Sequence, residues 1–237
     1  MPMPMILAFD TATPCARVAV LSPEGDGRAT AEKVAARHSS NLLRLCDEVL
    51  RATGLTVSDL AAIACGAGPG SFTGLRVGLA VAKGLALADR IPLVLVSSLD
   101  ALAADLAGSG EEGLVLPCID AGKGQVYGRL YRATGAEIAP ISTDEFALSP
   151  EDLCRLVQAQ ATGAAVVTGG NGADRYLDVF RALLGPEAVR AQIAGPSALA
   201  VGRLALARLA RGEHDDLETS VPRYGRPPDI TKPKSTA

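Results

Sequence analysis

The sequence predicts an α/β protein built from two related halves, and three observations carry that prediction. Apolar runs of strand length alternate with longer stretches of helical periodicity along the chain. Glycine-rich turns stand between strand and helix at residues 66–70 and again at 169–172. An opening unit also recurs. The apolar run 5–9, Asp10, a small-residue turn and a second run at 16–21 are matched by the run 114–119, Asp120, the turn 121–124 and a run at 125–131. The two aspartates lie 110 residues apart, close to half of the 237-residue chain, and internal duplication is the economical explanation. Two such halves would bring two Asp-tipped turns to face one cleft.

Taken in order, the turn from Asp10 to Pro14 offers an acid and two hydroxyls, a set able to hold Mg²⁺ and phosphate. The plainer reading is an Asx-turn, in which Asp10 bonds its own backbone. Residues 29–33 give a third strand. His38-Ser39-Ser40 then leads an amphipathic helix, residues 40–52, with Leu42, Leu45, Cys46, Val49 and Leu50 on one side, stopped by Thr53-Gly54. His38 has the chemistry of a proton carrier, but a lone histidine beside a helix cap reads first as structural.

Residues 61–65 form a buried strand. Gly66, Gly68, Pro69 and Gly70 end it, and the hydroxyl of Ser71 or Thr73 caps the next helix. That helix, residues 73–88, carries Gly74, Gly78 and Ala82 on one line and Ala80, Gly84 and Ala88 on another. Glycine inside a helix costs about 0.5–1 kcal/mol against alanine. Another backbone is therefore expected to approach the first line closely, from within the fold or from a partner. The turn is neither a Walker A loop nor a GxGxxG followed by an acidic ribose ligand. As a glycine-rich loop at a helix N-terminus it suits an anion, yet it equally suits a plain strand-to-helix turn, and local chemistry leaves both open.

Residues 92–96 read as a strand, with Ser97-Ser98 capping a helix at 99–106. A small, polar, acidic linker at 108–113 divides a first lobe, residues 1–107, from a second, 108–212. In the second lobe a helix is predicted over 150–160 and a strand over 164–168. A helix over 173–184 follows, then an alanine-rich one over 198–211 capped by Pro196-Ser197. Residues 213–237 are polar and proline-rich and are expected to form a surface strap, then disorder.

Hydrophobic residues make up 48% and charged residues 21% of the chain, which places it among globular proteins. A net charge of −3 and 3% aromatic residues argue against independent gripping or stacking of nucleic acid. Cys15, Cys46, Cys65, Cys118 and Cys154 are widely spaced, with no CxxC pair, and read as reduced core thiols. Residues 1–10 lack the pattern of a secretory signal and no stretch suits a membrane span, so a cytoplasmic location is expected.

The run GAGPGSFTGLRVGLAVAKGLA resembles the signature of the TsaB (YeaZ) family. FDTATPCARVAV, His38-Ser39, VSSLDAL, DAGKGQVY, GGNGA and Pro222-x-Tyr224-x-Arg226 follow the family's order over nearly the whole chain. The resemblance implies the fold of actin, hexokinase and the Hsp70 ATPase, with two ribonuclease-H-like lobes around a cleft. It implies a non-catalytic subunit that pairs with TsaD and, with the ATPase TsaE, serves threonylcarbamoylation of adenosine 37 in ANN-decoding tRNAs. Homodimers when alone, and contact with tRNA only through the complex, are implied as well.

The metal-binding TsaD pattern, VxHxxxH, falls here on residues 96–102, where Ser98 and Leu102 stand in place of the histidines; no histidine-based metal site is expected. Ala12 replaces the glycine of Asp-x-Gly-Thr kinases, which makes close approach of a phosphate harder. The resemblance assigns the partner interface to Leu42, Leu45, Thr73, Gly74, Val77, Gly78, Val81 and Ala82. ADP or ATP is expected, if anywhere, at the subunit interface, with Asp10, Thr11, Gly68, Gly70, Ser71 and Arg76 as contacts. Arg76 pairing with an acid of the partner is the competing role. The alternative function is an actin-like ATPase or phosphotransferase using Asp10 and Asp120, or a metal-independent glycoprotease.

Overall fold

The computed structural model describes residues 5–34, 38–108, 112–135, 137–141, 146–189 and 193–225. The first half builds one sheet from β1 (Met5–Asp10), β2 (Cys15–Leu21), β3 (Gly27–Val34), β4 (Leu60–Gly66) and β5 (Leu93–Val96), in the order β3-β2-β1-β4-β5. β1 to β3 are antiparallel neighbours, whereas β4 and β5 run parallel to β1. Helix α1 (His38–Thr53) lies between β3 and β4, α2 (Phe72–Asp89) between β4 and β5, and α3 (Ser98–Ala107) follows β5. Parallel neighbours need such crossovers.

The second half has β6 (Gly113–Gly122), β7 (Gln125–Gly128), β8 (Tyr131–Thr134), β9 (Glu137–Pro140), β10 (Phe146–Leu148), α4 (Pro150–Ala161), β11 (Val166–Gly169), α5 (Asn171–Arg175), α6 (Leu177–Leu184) and α7 (Ala198–Leu209). The neighbours β10-β7-β6-β11 repeat β3-β2-β1-β4 with the same directions. The duplication expected from the paired aspartates is thus present in the topology.

Three expectations are corrected. The single strand at 125–131 is two, β7 and β8. Both pair with β6 in one unbroken register, Cys118 with Gly128 and Val115 with Tyr131, and the gap lies opposite Pro117, which has no N–H to give the ladder. The helix expected over 173–184 begins earlier and breaks at Tyr176 into α5 and α6. β9 and β10 were not foreseen. The boundary segment 109–111 and the tail 226–237 lie outside the described residues, as does the side chain of His38, which opens α1.

Each sheet is covered on both faces. Leu42, Leu45, Cys46 and Val49 of α1 and Leu79, Ala82 and Ala86 of α2 pack on one face of the first sheet. The opposite face packs against Ala198, Val201 and Ala205 of α7, contributed by the second half. Reciprocally, Leu99, Leu102 and Leu106 of α3 pack with Val115, Ile119, Tyr127 and Tyr131 of the second sheet. The two halves therefore exchange their final helices.

The strap after α7 closes the sheet's edge. Asp215 accepts the N–H of Leu95 at 2.7 Å, and Arg208 donates to the Leu95 carbonyl at 2.7 Å and to Asp215 at 2.8 Å. The Asp215 N–H also binds the Leu93 carbonyl at 2.8 Å, so one backbone bridge and these side chains take the place of a neighbouring strand. All five cysteines are free thiols.

Candidate functional site at the glycine-rich loop and helix α2

The loop 67–71 and helix α2 are built onto the turn between β1 and β2. Asp10 is 1% exposed. Its Oδ1 accepts the Ala12 N–H at 2.8 Å, the Asx-turn foreseen, and its Oδ2 accepts the Ser98 hydroxyl at 2.6 Å. Ser98 in turn accepts the Gly68 N–H at 3.2 Å and donates its own N–H to the Gly68 carbonyl at 2.8 Å. One carboxylate therefore fastens the start of α3 to the glycine-rich loop. Burial, only partly offset by these hydrogen bonds, pushes the Asp10 carboxyl up to about 6.

The loop's glycines are explained by the same closeness. A Cβ at Gly70 would overlap Ala12, one at Gly74 would overlap the Thr11 carbonyl, and one at Gly68 would meet the carbonyl of Arg223 in the strap. Several of the donors expected for a phosphate are engaged within the chain. Ser71 N–H binds the Ala12 carbonyl at 2.8 Å, Gly74 N–H binds the capping Ser71 Oγ at 3.2 Å, and the Thr11 hydroxyl binds the Gly74 carbonyl at 2.8 Å. Asp10, Thr11, Gly68, Gly70 and Ser71, expected as nucleotide contacts, are brought together, but as the parts of an internal seam. As packed, they do not fit a phosphate cradle. Arg76 alone of the set is exposed, its guanidinium 5.2 Å from the centre of the Phe72 ring.

Of the expected partner contacts, Gly74, Gly78 and Ala82 are buried within the chain, and this corrects the choice of face. A Cβ at Gly78 would overlap the Thr11 hydroxyl and touch Cys65, so the backbone that approaches these glycines is the protein's own. Leu42 and Leu45 are core residues, 0% and 3% exposed; α1 shows Leu43 to solvent instead, at 52%. Val77 and Val81 are half-buried toward α1, and Thr73 is exposed.

The outward line is the other one. Ala80, Gly84 and Ala88 are exposed, a Cβ at Gly84 would meet nothing within 4 Å, and Leu87 beside them is 68% exposed. The spacing of Leu75, Leu79, Ala82 and Ala86 was the signal that could have told the two lines apart, since large apolar residues mark the face that a helix buries.

The second half repeats the seam in a more open form. Asp120 Oδ1 accepts the Gly122 N–H at 3.0 Å, and Oδ2 pairs with Arg175 at 2.9 Å. Gly170 and Gly172 press on the backbone of Cys118, Ile119 and Asp120 as Gly70 and Gly74 do on the first turn.

The two positions that correspond to the TsaD histidines are filled. Ser98 is committed to Asp10, and Leu102 is fully buried among Leu75, Leu99 and Tyr127. Neither side chain offers a metal ligand. Among the described residues, no three His, Cys, Asp or Glu side chains converge, and no helix is long and apolar enough to cross a membrane.

Comparison with known proteins places this arrangement. The profile described as "TsaD: tRNA N6-adenosine threonylcarbamoyltransferase" matches residues 29–166. The tRNA threonylcarbamoyladenosine biosynthesis protein TsaB of Escherichia coli K12 is 35% identical over 164 residues, 69% of this chain and 70% of that protein. The chain belongs to the TsaB (YeaZ) family. YeaZ from Pseudomonas aeruginosa, at 31% identity, superposes with a TM-score of 0.79 over 94% of this chain and all of that one. The activator of 2-hydroxyisocaproyl-CoA dehydratase from Clostridium difficile shares the fold alone, with a TM-score of 0.51 at 10% identity over 88% of this chain and 96% of that one. The TsaB-family chain thus has the actin/hexokinase/Hsp70-like (ASKHA) architecture that its sequence implied.

Proposed function

We propose that this protein is an accessory subunit in the formation of threonylcarbamoyladenosine in tRNA, and that it serves by docking a TsaD-type catalytic subunit without carrying the transfer chemistry itself. Its TsaB relatives are named for that biosynthesis. The observation that carries the docking role is the outer surface of α2. Thr73, Ala80, Gly84, Leu87 and Ala88 form an exposed ridge of small and apolar side chains, and Arg76, toward its N-terminal end, is the one charged residue of α2 classed as exposed. A solvated helix face carries charge. This one instead lets a partner helix approach to backbone distance, with α1 and its exposed Leu43 on one flank.

A stable interface there would bury roughly 1,200–2,000 Å² in total. In the same reading a TsaE-like ATPase joins the pair, tRNA reaches this chain only through the complex, and the chain pairs with itself when alone. Any ADP or ATP at the junction would be met from the exposed side of the loop, because its inner side is taken.

The test is light scattering of the chain mixed with the TsaD-type subunit of the same organism. The wild-type chain is expected to give a mixed complex. Gly84→Leu, whose Cβ would have nothing within 4 Å, is expected to remain a folded protein and to lose the complex. A mixed complex of unchanged mass and affinity with Gly84→Leu would remove α2 from the interface. Threonylcarbamoyl transfer by this chain alone would remove the accessory role.

A further inference from the structure

The strap that follows α7 runs along the flank of α2 opposite α1. The carbonyl of Glu218 lies 3.5 Å from the Lys83 amine, and the Arg223 N–H binds the Ala67 carbonyl at 2.7 Å. This brings Tyr224 onto Phe72, the first residue of α2, with ring centres 5.0 Å apart and planes tilted by 31°. These are the two exposed aromatic rings among the described residues, at 47% for Phe72 and 43% for Tyr224. Arg76, one turn on, lies over the Phe72 ring, and among the described residues no carboxylate pairs with it.

Two stacked, solvated rings, one of them beneath an unpaired guanidinium, have the composition of an interface anchor: aromatic residues and arginine dominate the energetics of protein contacts. The stack also continues the α2 ridge at its N-terminal end, one turn from Thr73. We infer that Phe72, Arg76 and Tyr224 anchor the docked partner protein by taking one of its acidic side chains, the carboxylate on Arg76 and the adjoining apolar surface on the two rings. This inference rests on the docking role proposed above. A protein carboxylate fits better than a nucleic acid. The chain carries a net charge of −3, and on this flank exposed Asp216 and Glu218 stand among the cations Arg76, Lys83 and Arg223, so it lacks the uninterrupted basic stripe that grips a polyanion.

The test is calorimetric titration of full-length variants into the TsaD-type subunit, in nucleotide-free buffer. Arg76→Glu and Tyr224→Ala are each expected to weaken binding about tenfold or more. Arg76→Gln should fall between wild type and Arg76→Glu, and all three should keep the wild-type melting temperature because the side chains are exposed. If Gly84→Leu abolishes binding while both anchor variants stay within about twofold of wild type, the anchor is wrong and the ridge stands. If the wild-type chain itself does not bind, the docking role falls and the anchor with it. Weakening by Arg76→Glu that appears only when ADP is added would assign Arg76 to a nucleotide phosphate. Binding of tRNA by the isolated chain that Arg76→Glu removes would assign the patch to nucleic acid. Either outcome overturns the inference.

Discussion

The turn at Asp10 and the turn at Asp120 start from the same local plan. In each, an aspartate accepts the N–H two residues on, Asp10 as the last residue of β1 and Asp120 two residues before the end of β6, and glycines at the start of a later helix press against the backbone beside it. They differ in what meets the second carboxylate oxygen. At Asp10 it is the buried hydroxyl of Ser98, 88 residues away. At Asp120 it is Arg175, whose side chain is 60% exposed. The first acid is sealed by burial and held by a neutral hydroxyl; the second is half-buried and paired with an exposed guanidinium. Local sequence sets the turn, and the residue that arrives from elsewhere decides whether the acid is available.

The largest effect should come from the glycines, because backbone cannot move aside. Gly74→Val in the first seam and Gly170→Val in the second are each expected to destabilise the protein by about 3 kcal/mol or more, read by denaturant unfolding. A much smaller cost at Gly170 would mark the second seam as the looser one.

The next effect separates the aspartates by pH. The Asp10 carboxyl is raised in the folded state to about 6, so the folded protein binds the extra proton between about pH 4 and 6 and stability falls as pH rises through that window. Asp10→Asn removes this dependence. The stability of the wild type relative to Asp10→Asn is expected to rise by about 2 kcal/mol on going from pH 7 to pH 4.5. Asp105, also raised by burial, adds a dependence of the same sign that both proteins share. A flat difference across this range would mean that Asp10 is not sealed.

The smallest effect is at Asp120. Replacing it by asparagine breaks an exposed ion pair and should cost no more than about 1 kcal/mol, diminishing with added salt.

Strands and helix starts were legible because their signals are local. Apolar runs became β1, β4, β5 and β6, and Ser71, Ser97 and Ser197 each cap the helix they precede. The small-residue helix was legible too, but not its orientation: two lines of equal spacing competed, and the one chosen faces the protein's own turn. Leu42 and Leu45 were assigned to a partner although an amphipathic stripe is first of all a core-facing stripe. The Ser98–Asp10 bond and the Phe72–Tyr224 stack join residues far apart in the chain, and no local pattern announces such pairs. β9, a four-residue strand with one half-buried position, lacks the alternation that marks a strand.

The exchange of α3 and α7 has a consequence for biogenesis. As the chain leaves the ribosome, the first sheet emerges with one face bare, and the helix that covers it is encoded more than a hundred residues after β3. The N-terminal half therefore waits, sticky and unfinished, from the completion of β5 at Val96 until α7 begins at Ala198. Its need for chaperone protection should be greatest in that interval and should end when α7 arrives.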